Sequence, residues 1–142
     1  FFHGHSYTGN ALGCVAALAS LEIFRKENTL AKVKKNSKLL SKILKSLWEL
    51  PIVGDIRQLG MMVGIELVKS KEGHIPFPHT VRLGHKIAME CRKRGLLIRP
   101  IANVIVLVPP LNTEAYELQK MVDTLYQALS TISIELSEIL EE

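Results

Sequence analysis

The chain has 142 residues, 47% of them hydrophobic and 23% charged, with a formal net charge of +4. This is ordinary globular composition, enough to bury about two thirds of the surface the unfolded chain exposes, and no uninterrupted apolar run approaches the ~18 residues a membrane span needs. The opening residues are neither basic nor a signal-peptide core, and Cys14 and Cys91 lie far apart with no CxxC pair, so we expect reduced thiols, a cytoplasmic setting and no disulfide framework.

The opening stretch FFHGHSYTGNALGC sets two histidines, three hydroxyl residues and three glycines ahead of an Ala-rich run. Asn10 is placed to cap a helix reaching about Lys26. Its small residues, Ala11, Gly13, Ala16, Ala17 and Ala19, allow close approach by another element, and we expect that element to lie outside this chain. Asn28 or Thr29 can cap a second helix running to about Leu50, where Pro51 and Gly54 punctuate. Lys32, Lys34, Lys35, Lys38, Lys42 and Lys45 crowd that helix. A basic patch can bind nucleic acid. Here Leu30, Val33, Leu40, Leu44 and Leu47 recur at helical spacing and no aromatic interrupts the lysines before Trp48, so they read as a solvated face.

The period then changes. Asp55–Leu59 alternates and Met61–Val68 reads as a strand, with Gly60 and Gly64 marking a bulge or a close backbone approach. A polar loop over Lys69–Pro78 leads to a helix over Thr80–Arg94 with Val81, Leu83, Ile87, Ala88 and Cys91 on its apolar side, ended by Gly95. Leu96–Arg99 and Val104–Val108 read as two short strands around a Pro100–Asn103 turn. Asn112 or Thr113 caps a last helix in which Ala115, Leu118, Val122, Leu125, Leu129 and Ile132 share a face. The expected class is α+β. A helical connector over residues 1–50 precedes a two-layer small domain over 51–142, ordered β-β-α-β-β-α, with a mainly antiparallel sheet covered by helices.

Two places carry chemistry. In HGHSYTGN, glycine lets the backbone turn, Ser6 and Thr8 offer hydroxyls, and the following helix start presents free N–H groups; this is how a phosphate is held, and it is equally how a helix is capped. His3 and His5 have H-x-H spacing but no evident third ligand, so they read as loop structure and no metal is expected. In GLLIRP, Arg99 ends an apolar segment. It can snorkel to water or clamp a carboxylate with its planar fork. Arg57 is a second candidate for carboxylate contact, but pairing with Asp55 or Glu66 is the favoured, structural reading.

HGHSYTGNALGC, DIRQLGMMVGIEL and GLLIRPIANVIVLVPPL, in this order, resemble the C-terminal part of the class III, fold-type I, pyridoxal-phosphate-dependent aminotransferases over essentially the whole chain. The resemblance implies the C-terminal domain of such an enzyme, a pyridoxal 5′-phosphate cofactor, and a homodimer sharing the cofactor site between subunits. It implies that Ser6, where the family commonly has threonine, binds the cofactor phosphate of the other subunit. His5 would add its backbone to that phosphate, and Gly4 would line the substrate pocket. Arg99 would bind the substrate carboxylate, a feature that acetylornithine-type relatives usually lack. The implied branch aminates 8-amino-7-oxononanoate to 7,8-diaminononanoate in biotin biosynthesis, with S-adenosylmethionine or lysine as the small-molecule amino donor, the former preferred. No nucleic-acid or membrane partner is implied. The Schiff-base lysine and the acid at the pyridinium nitrogen belong upstream of this loop, so we expect no catalytic residue in this chain and no activity from it alone. A class III aminotransferase for another ω-amine, or a non-catalytic α+β small-molecule-binding module, are the alternatives.

Overall fold

The computed structural model describes residues 2–141, with side chains through residue 137. Helix α1 (Ala11–Lys26) begins where Asn10 accepts the Gly13 N–H on its side-chain oxygen at 2.9 Å, as its residue type favours. It buries none of its residues: Ala11, Ala16 and Ala19 are exposed, with Leu12, Val15, Leu18 and Leu21, and Phe24 alone is half-covered. Helix α2 (Thr29–Ile43) follows Asn28, which turns the chain with a left-handed backbone (φ 52°) and accepts no capping hydrogen bond on its side chain. The helix tightens into a 3-10 segment over Leu44–Glu49. Leu40, Leu44, Leu47 and Leu50 face inward and join the main core, whereas Leu30 is exposed. The core therefore draws on residues upstream of Pro51.

Strands β1 (Val53–Leu59) and β2 (Met62–Ser70) form a hairpin closed by the pair Leu59↔Met62. Gly60, at φ 60°, is the first of its two turn residues, where a type II′ hairpin requires glycine. Gly60 is thus a turn residue, and the bulge falls earlier, between Val53 and Asp55. Strand β2 is central: it also pairs with β3 (Ile75–Pro76) at Val68 and Ser70, and with β4 (Val104–Leu107) along Val63–Glu66, all antiparallel. Helix α3 (Leu83–Lys93) is preceded by a 3-10 turn over His79–Val81 and by Arg82 in a left-handed conformation (φ 49°). Helix α4 (Ala115–Glu141) packs against both α3 and α2.

Three expectations need correction. The stretch Lys69–Pro78, expected as a loop, contains strand β3 at Ile75–Pro76, paired with the end of β2. Leu96–Arg99 is no strand; it runs as irregular backbone, and only an isolated bridge Ile101↔Val104 follows. The N–H groups of Arg94, Gly95 and Leu96 turn back to the carbonyls of Cys91 and Arg92 to close α3. Pro100 has no N–H to offer a ladder, and β4 occupies β2 along Val63–Glu66. The order after α3 is therefore one strand and one helix. The residue before α4 is Glu114, with neither Asn112 nor Thr113 in that place: the Glu114 N–H donates to the Glu117 carboxylate at 2.8 Å, while the Thr113 hydroxyl donates to the Pro110 carbonyl at 2.7 Å. Ala115 is exposed, but Leu118, Val122, Leu125, Leu129 and Ile132 are buried as their spacing predicts.

One polar tie crosses the helical layer. Arg94 donates to the Glu90 carboxylate from the same helix and to the Thr131 hydroxyl of α4 at 3.1 Å. Arg94, and after it Lys93, hold the Glu90 carboxyl below its ordinary range. Beside them the Cys91 thiol is buried, and that burial pushes it up to about 11. A thiol reagent at neutral pH should therefore modify exposed Cys14 and spare Cys91 until the chain unfolds. Native Cys91 keeps its proton over a range where the unfolded thiol has lost it, so stability should fall as pH rises from about 9 to about 11. Two equally fast thiols in the native protein would contradict this. Among the described residues no helix is long and apolar enough to cross a membrane.

Candidate functional site

The opening loop is ordered by its own short bonds. Thr8 donates its N–H to the His5 carbonyl, and the His5 N–H donates to the Thr8 hydroxyl oxygen, both at 3.0 Å. Asn10 closes a second turn onto the Tyr7 carbonyl at 3.0 Å, with Gly9 between at φ 75°. Gly4, His5 and Ser6 are all exposed, and the His3 and His5 rings meet edge to face at 4.6 Å. Residues 2–21 contain no Asp or Glu. Hydroxyls, backbone N–H groups and a helix start without carboxylates form a donor set that suits a phosphate. The His5 N–H is engaged with Thr8, so it is the Ser6 hydroxyl that projects from the turn with no partner among the described residues.

Arg99 sits elsewhere. It opens on an apolar groove of about 740 Å³ walled by Leu97, Ile98, Ile101, Val108 and Pro109, with Glu117 as the one acidic residue of its lining. That carboxylate is already engaged by the Glu114 N–H. Arg99 is exposed and makes no ion pair among the described residues. Arg57 is its opposite: it donates to Asp55 at 2.7 Å and to Glu66 at 2.6 Å, and these two carboxylates raise its pKa further, Glu66 most. Arg57 is engaged within the sheet, whereas the Arg99 guanidinium has no carboxylate partner among the described residues.

The backbone around Arg99 is seated by a residue that pattern reading passed over. Gly84 lies buried in the first turn of α3, and a Cβ built there would stand 2.2 Å from the Ala102 carbonyl oxygen and 2.9 Å from Pro100 Cβ. Only glycine lets α3 approach the turn this closely. The turn is fastened further by two Ile101–Val104 backbone bonds of 2.8 Å, and by Asn103, which donates to the Phe77 carbonyl at 2.7 Å and accepts the Leu67 N–H at 2.9 Å. A glycine in the first turn of an otherwise apolar-faced helix was the available signal.

None of the residues lining the Arg99 groove comes from the opening loop. One copy of the chain thus carries two half-sites, a phosphate-type loop and a cationic apolar groove, that do not share a cavity. The sequence pattern of the aminotransferase class III family matches residues 2–129. The chain belongs to the class III aminotransferases. It is 50% identical over 135 residues to the adenosylmethionine-8-amino-7-oxononanoate aminotransferase of Aquifex aeolicus, covering 95% of this chain and 30% of that one. The crystal structure of the enzyme of the same name from Methanocaldococcus jannaschii superposes with a TM-score of 0.87 at 48% identity, over 92% of this chain and 30% of that one. A PMP-bound aminotransferase from Vibrio fluvialis gives 0.89 at 30% identity, over 95% of this chain and 30% of that one. The chain therefore spans about 30% of the length of the relatives it matches. Its fold is the α+β fold of the matching part of these class III enzymes.

Proposed function

We propose that this chain is the C-terminal part of a pyridoxal-phosphate-dependent aminotransferase that moves an amino group onto 8-amino-7-oxononanoate, giving 7,8-diaminononanoate. The observation that carries the substrate reading is Arg99, without an ion pair among the described residues, at the mouth of an apolar groove. A long aliphatic keto acid needs a cation for its carboxylate and a dry wall for its chain, and the groove offers both. The relatives in Aquifex aeolicus and Methanocaldococcus jannaschii carry that activity in their names, and this supports the same choice.

In this reading residues 1–50 are the phosphate loop and connector of the whole enzyme, and 51–142 its small domain. Pyridoxal phosphate, when bound, supplies the electron sink for moving the amino group. Ser6 would hold the phosphate through its hydroxyl across a homodimer interface, His5 would add its backbone to that phosphate, and Gly4 would line the substrate pocket. Arg99 would hold the carboxylate at the far end of the acceptor, and the apolar groove would keep water from its aliphatic chain. The exposed apolar residues of α1 pack on the remainder of the enzyme. The amino donor is S-adenosylmethionine and the setting is cytoplasmic.

The test is a transamination assay on the full-length protein with 8-amino-7-oxononanoate, offering S-adenosylmethionine or lysine as donor, beside a spectral titration with pyridoxal phosphate. Turnover of other ω-amines alone would move the protein to another branch, and no spectral change would remove it from catalysis. Ser6→Ala deletes one hydrogen bond to a charged group, worth about 1.5–3 kcal/mol. Cofactor affinity should then fall roughly tenfold or more, and an unchanged affinity would reduce this loop to a turn.

A further inference from the structure

Sharing no lining residue with either half-site, a cleft of about 590 Å³ opens between β2, the 3-10 turn before α3, α3 itself and the end of α4. Its apolar lining is Phe77, Pro78, Val81 and Leu136. Its charged lining is of one sign: Lys69, Arg82 and Lys86, with the imidazole of His85 between. None of these four side chains has an ion-pair or hydrogen-bond partner among the described residues, and no described acidic residue lines the cleft. Some of the chain's other basic groups meet a described carboxylate, although Arg99 and most of the remaining lysines, like the cations of the cleft, do not. Lys26 meets Glu22, Lys32 meets Glu27, Arg57 meets Asp55 and Glu66, and Lys93 and Arg94 share Glu90.

We infer that this cleft is a separate binding site for a small phosphate monoester with an apolar body. Concavity, an apolar floor and a few convergent polar groups are the usual make-up of a small-molecule site. Three exposed cations lining one cleft call for more than a single carboxylate, and a phosphate monoester carries about −1.5 to −2 at neutral pH. Arg82 provides a planar fork for two phosphate oxygens, and Lys69 and Lys86 act as point charges. The first turn of α3 has no acidic residue, so its N-terminal dipole works in the same direction. Phe77, only 7% exposed, and Leu136 give the organic body a surface that inorganic phosphate would leave empty. The site is independent of the transaminase reading, because no residue of either half-site lines it.

The experiment is calorimetric titration of 1-naphthyl phosphate into the full-length, cofactor-loaded protein, with inorganic phosphate and 1-naphthol as separate titrants. One naphthyl phosphate should bind per chain, roughly tenfold or more tighter than either half of the molecule. Arg82→Asn with Lys86→Gln removes two charges while keeping a residue that tolerates the left-handed backbone at position 82. This double variant should lose roughly tenfold or more in naphthyl phosphate affinity, with the cofactor spectrum unchanged. If it fails to fold, Lys69→Gln, at an exposed position of β2, should still show a clear fall. Equal affinity in the variants, naphthol binding as tightly as its phosphate, or no binding because the rest of the protein covers the cleft would each overturn the assignment.

Discussion

Arg99→Ala in the full-length enzyme should raise KM for the 8-amino-7-oxononanoate acceptor by about ten- to a hundredfold, with a smaller change in kcat. The estimate is the loss of a charge-assisted pair worth about 1.5–3 kcal/mol. Arg99 forms no ion pair among the described residues, so its removal should cost the fold little, and thermal stability should barely move. Pro100 confines Arg99 to extended backbone, which sets where its side chain can reach. Arg99→Lys should recover only part of the loss, because a point charge cannot reproduce the fork. The half-reaction with the amino donor should be much less affected. Equal damage to both half-reactions would falsify the substrate role and leave Arg99 as a structural or cofactor residue.

Gly84→Ala should damage the same step by a different route. On an exposed helix this exchange gains up to about 1 kcal/mol. Here the new methyl would lie 2.2 Å from a backbone oxygen and 2.9 Å from Pro100. Backbone cannot swing aside as a long side chain does, and the turn is held by the Ile101–Val104 pair and Asn103. Overpacking of this kind costs about 1–3 kcal/mol. That should lower the melting temperature by roughly 2–8 °C per kcal/mol. Arg99 is one residue from the displaced Pro100, so KM for the acceptor should rise as well, while pyridoxal phosphate affinity holds. A variant with unchanged melting temperature and unchanged KM would show that α3 does not seat this turn.

Much of the scaffold was legible in residue order because local physics decides it. The inward faces of α3 and α4 follow from helical spacing, and the Asn10 cap from its residue type. Leu96–Arg99 misled because its residues favour extended backbone, while pairing depends on whether β2 has room beside it. That is a property of β4, further along the chain. Glu114 was missed because its own side chain caps nothing; the bond runs back from Glu117. At the candidate site, Asp55 and Glu66 near Arg57 in sequence already marked it as the structurally paired arginine, and the sheet register, which sets Arg57 opposite Gly64 and beside Glu66, shows how both carboxylates reach it. Gly84 was harder to read, since a close approach involves a partner 18 residues away (102 − 84).

The bare surface of α1 has a thermodynamic consequence. A 16-residue helix that buries none of its residues has little beyond its own propensity to hold it, so in an isolated chain the HGHSYTGN loop would be only as rigid as that helix. In the proposed dimer, Ser6 of that loop serves the cofactor phosphate of the other subunit, so each cofactor site is complete only when two subunits meet. Subunit association and cofactor capture then become linked equilibria: each must strengthen the other by the same factor. Raising the pyridoxal phosphate concentration should drive dilute subunits together, and diluting the protein should weaken its grip on the cofactor even with every loop residue intact.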